Sequence, residues 1–129
     1  MADVNRGKRP LSPFMIGPYY RPQITSMMSI THRLTGLGLM VGAVGVVWWL
    51  LAAAVSAEHF RVIDGLWTSW IGTLVWIGVL WAFSYHLLNG IRHLAWDAVF
   101  GFEMRNVRRS GYAVMIGSAL FTILVLIVA

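Results

Sequence analysis

The 129-residue chain is 58% hydrophobic and only 12% charged, with a formal net charge of +5. A soluble domain carries about twice that charged fraction, so the composition describes a small integral membrane protein. Cysteine is absent, which excludes disulfides, thiolate metal sites and iron–sulfur clusters held by this chain, and the basic residues border apolar runs, which fits membrane topology and not nucleic-acid binding.

Residues 1–25 contain all four prolines, Pro10, Pro13, Pro18 and Pro22, which cannot share one regular helix. This segment reads as an extended arm on the cytoplasmic side. A disordered tail is the alternative; the aromatic and apolar content of LSPFMIGPYY argues for docking on something.

Three apolar runs follow, Leu34 to Val55, Leu66 to Leu88 and Tyr112 to Ala129. Crossing the hydrocarbon core takes about 20 helical residues, so each is long enough, the third only just. The expected architecture is all-α, a single membrane-anchor domain over 1–129, with transmembrane helices at about 28–55, 66–97 and 110–129. The first run begins too late and extends too far to be a cleavable signal peptide. Arg6, Lys8, Arg9, Arg21 and Arg33 precede the first span, and Arg92, Arg105, Arg108 and Arg109 follow the second. Between the first two spans only Arg61 is basic, offset by Glu58 and Asp64. The positive-inside rule therefore places the N-terminus and second loop in the cytoplasm and the C-terminus outside, which for a bacterial inner membrane is the periplasm.

Ionisable residues at the edge of a span usually face the protein interior. In SITHRLTG, residues 29–36, Ser29, His32 and Arg33 fall at i, i+3 and i+4, on one helical face. Together they can donate to a carbonyl or carboxylate at the membrane boundary. Equally, Arg33 can snorkel to lipid phosphates while Ser29 caps a helix.

In HLLNGIRHLAWD, residues 86–97, His86, Asn89 or Gly90, His93 and Asp97 share a second face. Seven residues of helix separate the two histidines by about 10 Å. That spacing puts His93, beside Arg92, near the headgroups and His86 deeper, after an unbroken apolar run. A neutral imidazole in hydrocarbon needs a partner, either a hydrogen bond to another helix or a metal. Gly90 removes a side chain one turn from His86, as a flat macrocycle against the helix would require; glycine also permits close helix packing. Were the ligand a haem, bis-histidine coordination would need a second imidazole. His32, at the cytoplasmic mouth, lies some 9 Å or more shallower than His86 by helix rise, and His59 is in the opposite loop, so another polypeptide would have to supply it.

Gly36, Gly38, Gly42 and Gly45 line the first span, and the small-xxx-small pair Gly38 and Gly42 favours close helix approach. Trp48, Trp49, Trp67, Trp70 and Trp96 cluster towards span ends, as an interfacial belt does, while Trp76 and Trp81 lie mid-span.

RPLSP at 9–13, YRPQITSMMSITHRLTG at 20–36 and HLLNGIRHLAWD at 86–97 together resemble the cytochrome b subunit of succinate dehydrogenase, the larger membrane anchor of respiratory complex II in its alphaproteobacterial or mitochondrial-like form. The paired motifs S-x-x-H-R-x-[ST]-G and H-x-x-x-G-x-R-H-x-x-x-D are specific, and the resemblance covers nearly the whole chain. It implies a haem b with His86 as one axial iron ligand and a histidine of a second small anchor subunit as the other. It further implies Ser29 and Arg33 in a ubiquinone pocket, His32, His93 and Arg33 near the haem propionates, Asp97 near the cytoplasmic surface, and the Pro-rich arm packed on an iron–sulfur subunit that is fed by a flavoprotein. The implied role is anchoring and electron transfer to quinone, with no chemistry on succinate. The rival readings are a quinol-oxidising fumarate reductase anchor and a haem-free scaffold. Phe14, where many relatives have histidine, and Thr31, where an aliphatic residue is usual, depart from the pattern without touching the ligand or quinone positions.

Overall fold

The computed structural model describes residues 22–128, and among them the chain is entirely helical. Four helices follow in order: α1 (Ile24–Val55), α2 (Ala57–Trp67), α3 (Trp70–Asp97) and α4 (Met104–Val128). The Pro-rich arm, with Pro10, Pro13, Pro18 and Phe14, lies outside the described residues, apart from Pro22, which is exposed just ahead of α1.

Three of the helices, α1, α3 and α4, are long and apolar enough to cross a membrane, as the three apolar runs predict. At a rise of 1.5 Å per residue, α1 spans about 48 Å and so extends well past a hydrocarbon core of about 30 Å. Large apolar side chains cover the outer faces of all three, among them Leu37, Met40, Val44, Leu74, Phe83, Leu87, Leu120 and Leu124, each largely exposed on the isolated chain. Water would not tolerate so continuous an apolar surface; lipid or other subunits must cover it.

The segment between the first two spans is a helix, α2. Ser56 adopts an extended backbone, and its hydroxyl oxygen accepts from the His59 backbone N–H at 3.2 Å, with Glu58 in the first turn where the helix dipole favours an anion. The Trp49 indole N–H donates to Asp64 Oδ1 at 3.0 Å, tying α2 back to α1. At the far end, Ser69 caps α3 by accepting from the Gly72 N–H at 3.2 Å, so Leu66 and Trp67 belong to α2 and the second span begins at Trp70. A side chain at position 72 would run into the Leu66 and Trp67 carbonyls, which explains glycine there.

The long helices form an antiparallel bundle. Along the α1/α3 seam Gly36 meets His86, Gly42 meets Val79 and Gly45 approaches Trp76, so the chain numbers rise on one helix as they fall on the other. Between α3 and α4 the contacts run from Arg92 with Val107 and Ser110, through Leu88 with Gly117, to Ser84 with Thr122. Met28, Tyr85 and Val114 form the small core where α1, α3 and α4 converge, and the buried Tyr85 hydroxyl donates to the Met28 carbonyl at 3.1 Å. Beside it Gly111 brings α4 against α1: a Cβ there would sit 2.8 Å from Met28 Sδ. The Gly38/Gly42 pair is not one surface, because a Cβ at Gly38 meets nothing among the described residues within 4 Å.

Candidate functional site

Three of the sequence-predicted residues meet in one place. The His32 and His86 rings stack face to face with centroids 3.8 Å apart and planes 11° from parallel. His93 lies against His32 at 5.4 Å, and Trp96 closes the row edge-on to His93 at 5.2 Å.

This corrects the depth expected for His32. The apolar run begins at Leu34, which puts His32 at the mouth by sequence, but α1 starts ten residues earlier, at Ile24. His32 is therefore about 12 Å along α1 from its start, and His86 about 16 Å along α3 from its end, nearly level in an antiparallel pair. The two rings, stacked and nearly parallel, cannot grip a single metal ion from opposite sides.

His86 is held at one nitrogen. Its Nδ1 is 3.1 Å from the His32 carbonyl oxygen and 3.2 Å from Thr35 Oγ1, while the Thr35 hydroxyl donates to that same carbonyl at 2.9 Å. A carbonyl can only accept, and the hydroxyl proton is already committed, so Nδ1 carries the imidazole proton. In the neutral imidazole the lone pair is then on Nε2, which has no hydrogen-bond partner among the described residues. That is the state in which a neutral histidine ligates a metal.

Two buried polar atoms of α1 and α3 are also unmet. His32 Nδ1 and Asn89 Nδ2 are buried with no partner among the described residues. A side chain at Gly90 would enter open space. Among those residues there is no group of three or more His, Cys, Asp or Glu able to hold a bare metal ion. The donor set thus suits a prosthetic group that brings its own equatorial ligands, with acceptors for the stranded donors nearby.

Ser29 is half-buried and Arg33 exposed, one turn apart on α1, and neither makes a side-chain hydrogen bond or ion pair among the described residues. Asp97 is exposed as the last residue of α3. Arg92 differs most from its expected place at the cytoplasmic rim. It is 7% exposed and turned away from the histidines into α4. Nε donates to Ser110 Oγ and Nη2 to the Val107 carbonyl, both at 2.9 Å, Nη1 is 3.4 Å from Asn89 Oδ1, and the guanidinium lies 3.9 Å over the Trp96 ring. Thr35 and Tyr85 were passed over in sequence because a lone hydroxyl inside an apolar helix carries no periodic signal; Thr35 is nonetheless the [ST] of the first motif.

A helical membrane protein with three spanning helices and stacked histidines between two of them is the class that this fold and site define. The chain belongs to the succinate dehydrogenase/fumarate reductase transmembrane subunit family, whose model matches residues 5–125. It is 44% identical over 128 residues to a succinate dehydrogenase cytochrome b556 subunit of Paracoccus denitrificans, covering 99% of this chain and 97% of that one. A b556 subunit of Rickettsia conorii is 38% identical over 91% of this chain and 90% of its own. A b560 subunit of Reclinomonas americana is 36% identical over 93% and 85%.

Proposed function

We propose that this chain is the haem b-binding large membrane anchor of a succinate:quinone oxidoreductase in a bacterial inner membrane. The observation that carries the reading is the His86 imidazole, protonated at Nδ1 by its contacts with α1 and free at Nε2. The relatives are named as b-type cytochromes, which fits a haem b at that nitrogen.

When bound, haem b supplies one-electron storage beside the quinone site. His86 Nε2 would hold its iron, and a second small anchor subunit would supply a further histidine. The stranded His32 Nδ1 is suited to donate to a propionate, with His93 and Arg33 also in its vicinity. Ser29 and Arg33 line a ubiquinone pocket at the same end of the bundle. The Ser29 hydroxyl donates to a quinone carbonyl, and the Arg33 guanidinium stabilises the negative charge that develops on that oxygen as electrons arrive, a charge-assisted contact. Electrons come from an iron–sulfur subunit reduced by a flavoprotein, both docked at the basic, cytoplasmic end. Succinate itself meets no residue of this chain.

The experiment is a reduced-minus-oxidised spectrum of the purified complex with His86→Ala. Loss or displacement of the b-type bands supports the assignment, and an unchanged spectrum ends it. Turnover with ubiquinone against turnover with a low-potential quinol separates succinate oxidation from fumarate reduction, since the family's description covers both.

A further inference from the structure

The side of His86 that faces away from its ligating nitrogen is enclosed by two consecutive residues of α1. Thr35 is buried, and its Oγ1 sits between two partners, donating to the His32 carbonyl at 2.9 Å and turning a lone pair towards His86 Nδ1 at 3.2 Å. Gly36 follows. A Cβ there would lie 3.1 Å from His86 Cε1 and 3.7 Å from Nδ1, so only a glycine leaves the ring where it is.

We propose that Thr35 and Gly36 are positioning residues for the iron ligand, fixing the proton and the rotation of the His86 ring and so setting the potential and the retention of the haem. The proposal rests on His86 being an axial ligand. Acceptors on the outer N–H of a ligating imidazole raise its basicity and favour the oxidised metal, and loss of such a contact typically weakens metal binding about 10–100-fold. Nδ1 here has two acceptors, a carbonyl fixed by the helix and a hydroxyl that a substitution can remove. Thr35→Val keeps the β-branched shape and deletes only the hydroxyl, whereas Thr35→Ser keeps the hydroxyl and deletes a methyl. Gly36→Ala leaves the hydroxyl and pushes on the ring.

The test uses the intact complex carrying Thr35→Val, Thr35→Ser, Gly36→Ala or His86→Ala. It reads haem midpoint potential by redox titration, the low-spin electron paramagnetic resonance signal, and the rate of haem loss in detergent. Thr35→Val is expected to move the potential to more positive values and to speed haem loss roughly tenfold. Thr35→Ser stays close to the native potential, and Gly36→Ala changes the spread of the resonance signal, which reports ring orientation. If Thr35→Val keeps the native potential and haem retention, the proposal is overturned. Should that variant fail to assemble, a native resonance signal and native haem retention in Gly36→Ala overturn it instead. His86→Ala separates the two levels. A retained bis-imidazole signal there refutes the ligand assignment; its loss alongside native Thr35→Val and Gly36→Ala refutes only the positioning pair.

Discussion

The α1/α3 seam can be tested at Gly42. A methyl at that position would lie 2.8 Å from Val79 Cγ1 and 3.2 Å from Cγ2, about an ångström inside ordinary carbon contact. Val79 is β-branched and confined to one helical rotamer, so it cannot swing aside and the helices must part. Overpacking of this kind costs about 1–3 kcal/mol, and Gly42→Ala should destabilise the assembled complex by that amount. Removing the obstruction should restore the fit. The double variant Gly42→Ala with Val79→Ala is expected to regain most of the loss, with a coupling of about 0.5–3 kcal/mol in the cycle. Gly38→Ala, whose Cβ meets nothing among the described residues, should show no coupling to Val79→Ala. The assay is thermal unfolding of the detergent-solubilised complex followed by its helical circular dichroism. Additive effects of Gly42→Ala and Val79→Ala would refute the contact, and coupling of Val79 to Gly38 would put the wrong glycine in the seam.

Two further substitutions address the end of the bundle where α3 runs into α4. Arg92→Lys should destabilise the complex by about 1.5–3 kcal/mol, because one ammonium cannot serve both Ser110 and the Val107 carbonyl while lying over Trp96; an unchanged melting temperature would show that the fork is not used. Val99 has φ +64° and follows α3 in the left-handed position of a Schellman cap, its N–H bonded to the Trp96 carbonyl and the Phe100 N–H to that of Ala95. Glycine relieves about 1–2 kcal/mol of strain there and gives back about half in chain entropy, so Val99→Gly should stabilise by about 0.5 kcal/mol. A lower melting temperature would mean that the exposed Val99 side chain is held by another subunit.

What the sequence could and could not reveal follows from how each feature is encoded. The three spans are written as continuous apolar runs, which need no partner to be recognised. The α2 helix is not apolar throughout, so it reads as a loop until the Ser56 cap and the Trp49–Asp64 bond are seen. Helical periodicity places Ser29, His32 and Arg33 on one face, but it cannot say how far α1 continues before the apolar run. That missing length set His32 too shallow by sequence. The small-xxx-small pattern likewise finds Gly42 and Gly38 together, whereas only the facing helix decides which of them is covered.

The second motif shows why one polar cluster carries two duties. Adjacent helical residues point about 100° apart, so in the sequence Arg92-His93 the two side chains face different neighbours. His93 joins His32 at the α1 seam, and Arg92 reaches Ser110 and Val107 on α4. The same division recurs higher up, where His86 faces Thr35 on α1 while Ser84 accepts from Thr122 on α4. Polar bonds to α4 therefore fix α3 on one side without spending the histidines on the other. α4 satisfies Arg92 with neutral groups, the Ser110 hydroxyl and the Val107 carbonyl. A helix anchored this way can present His86 Nε2 with its lone pair unspent, and that is what a ligating helix has to do.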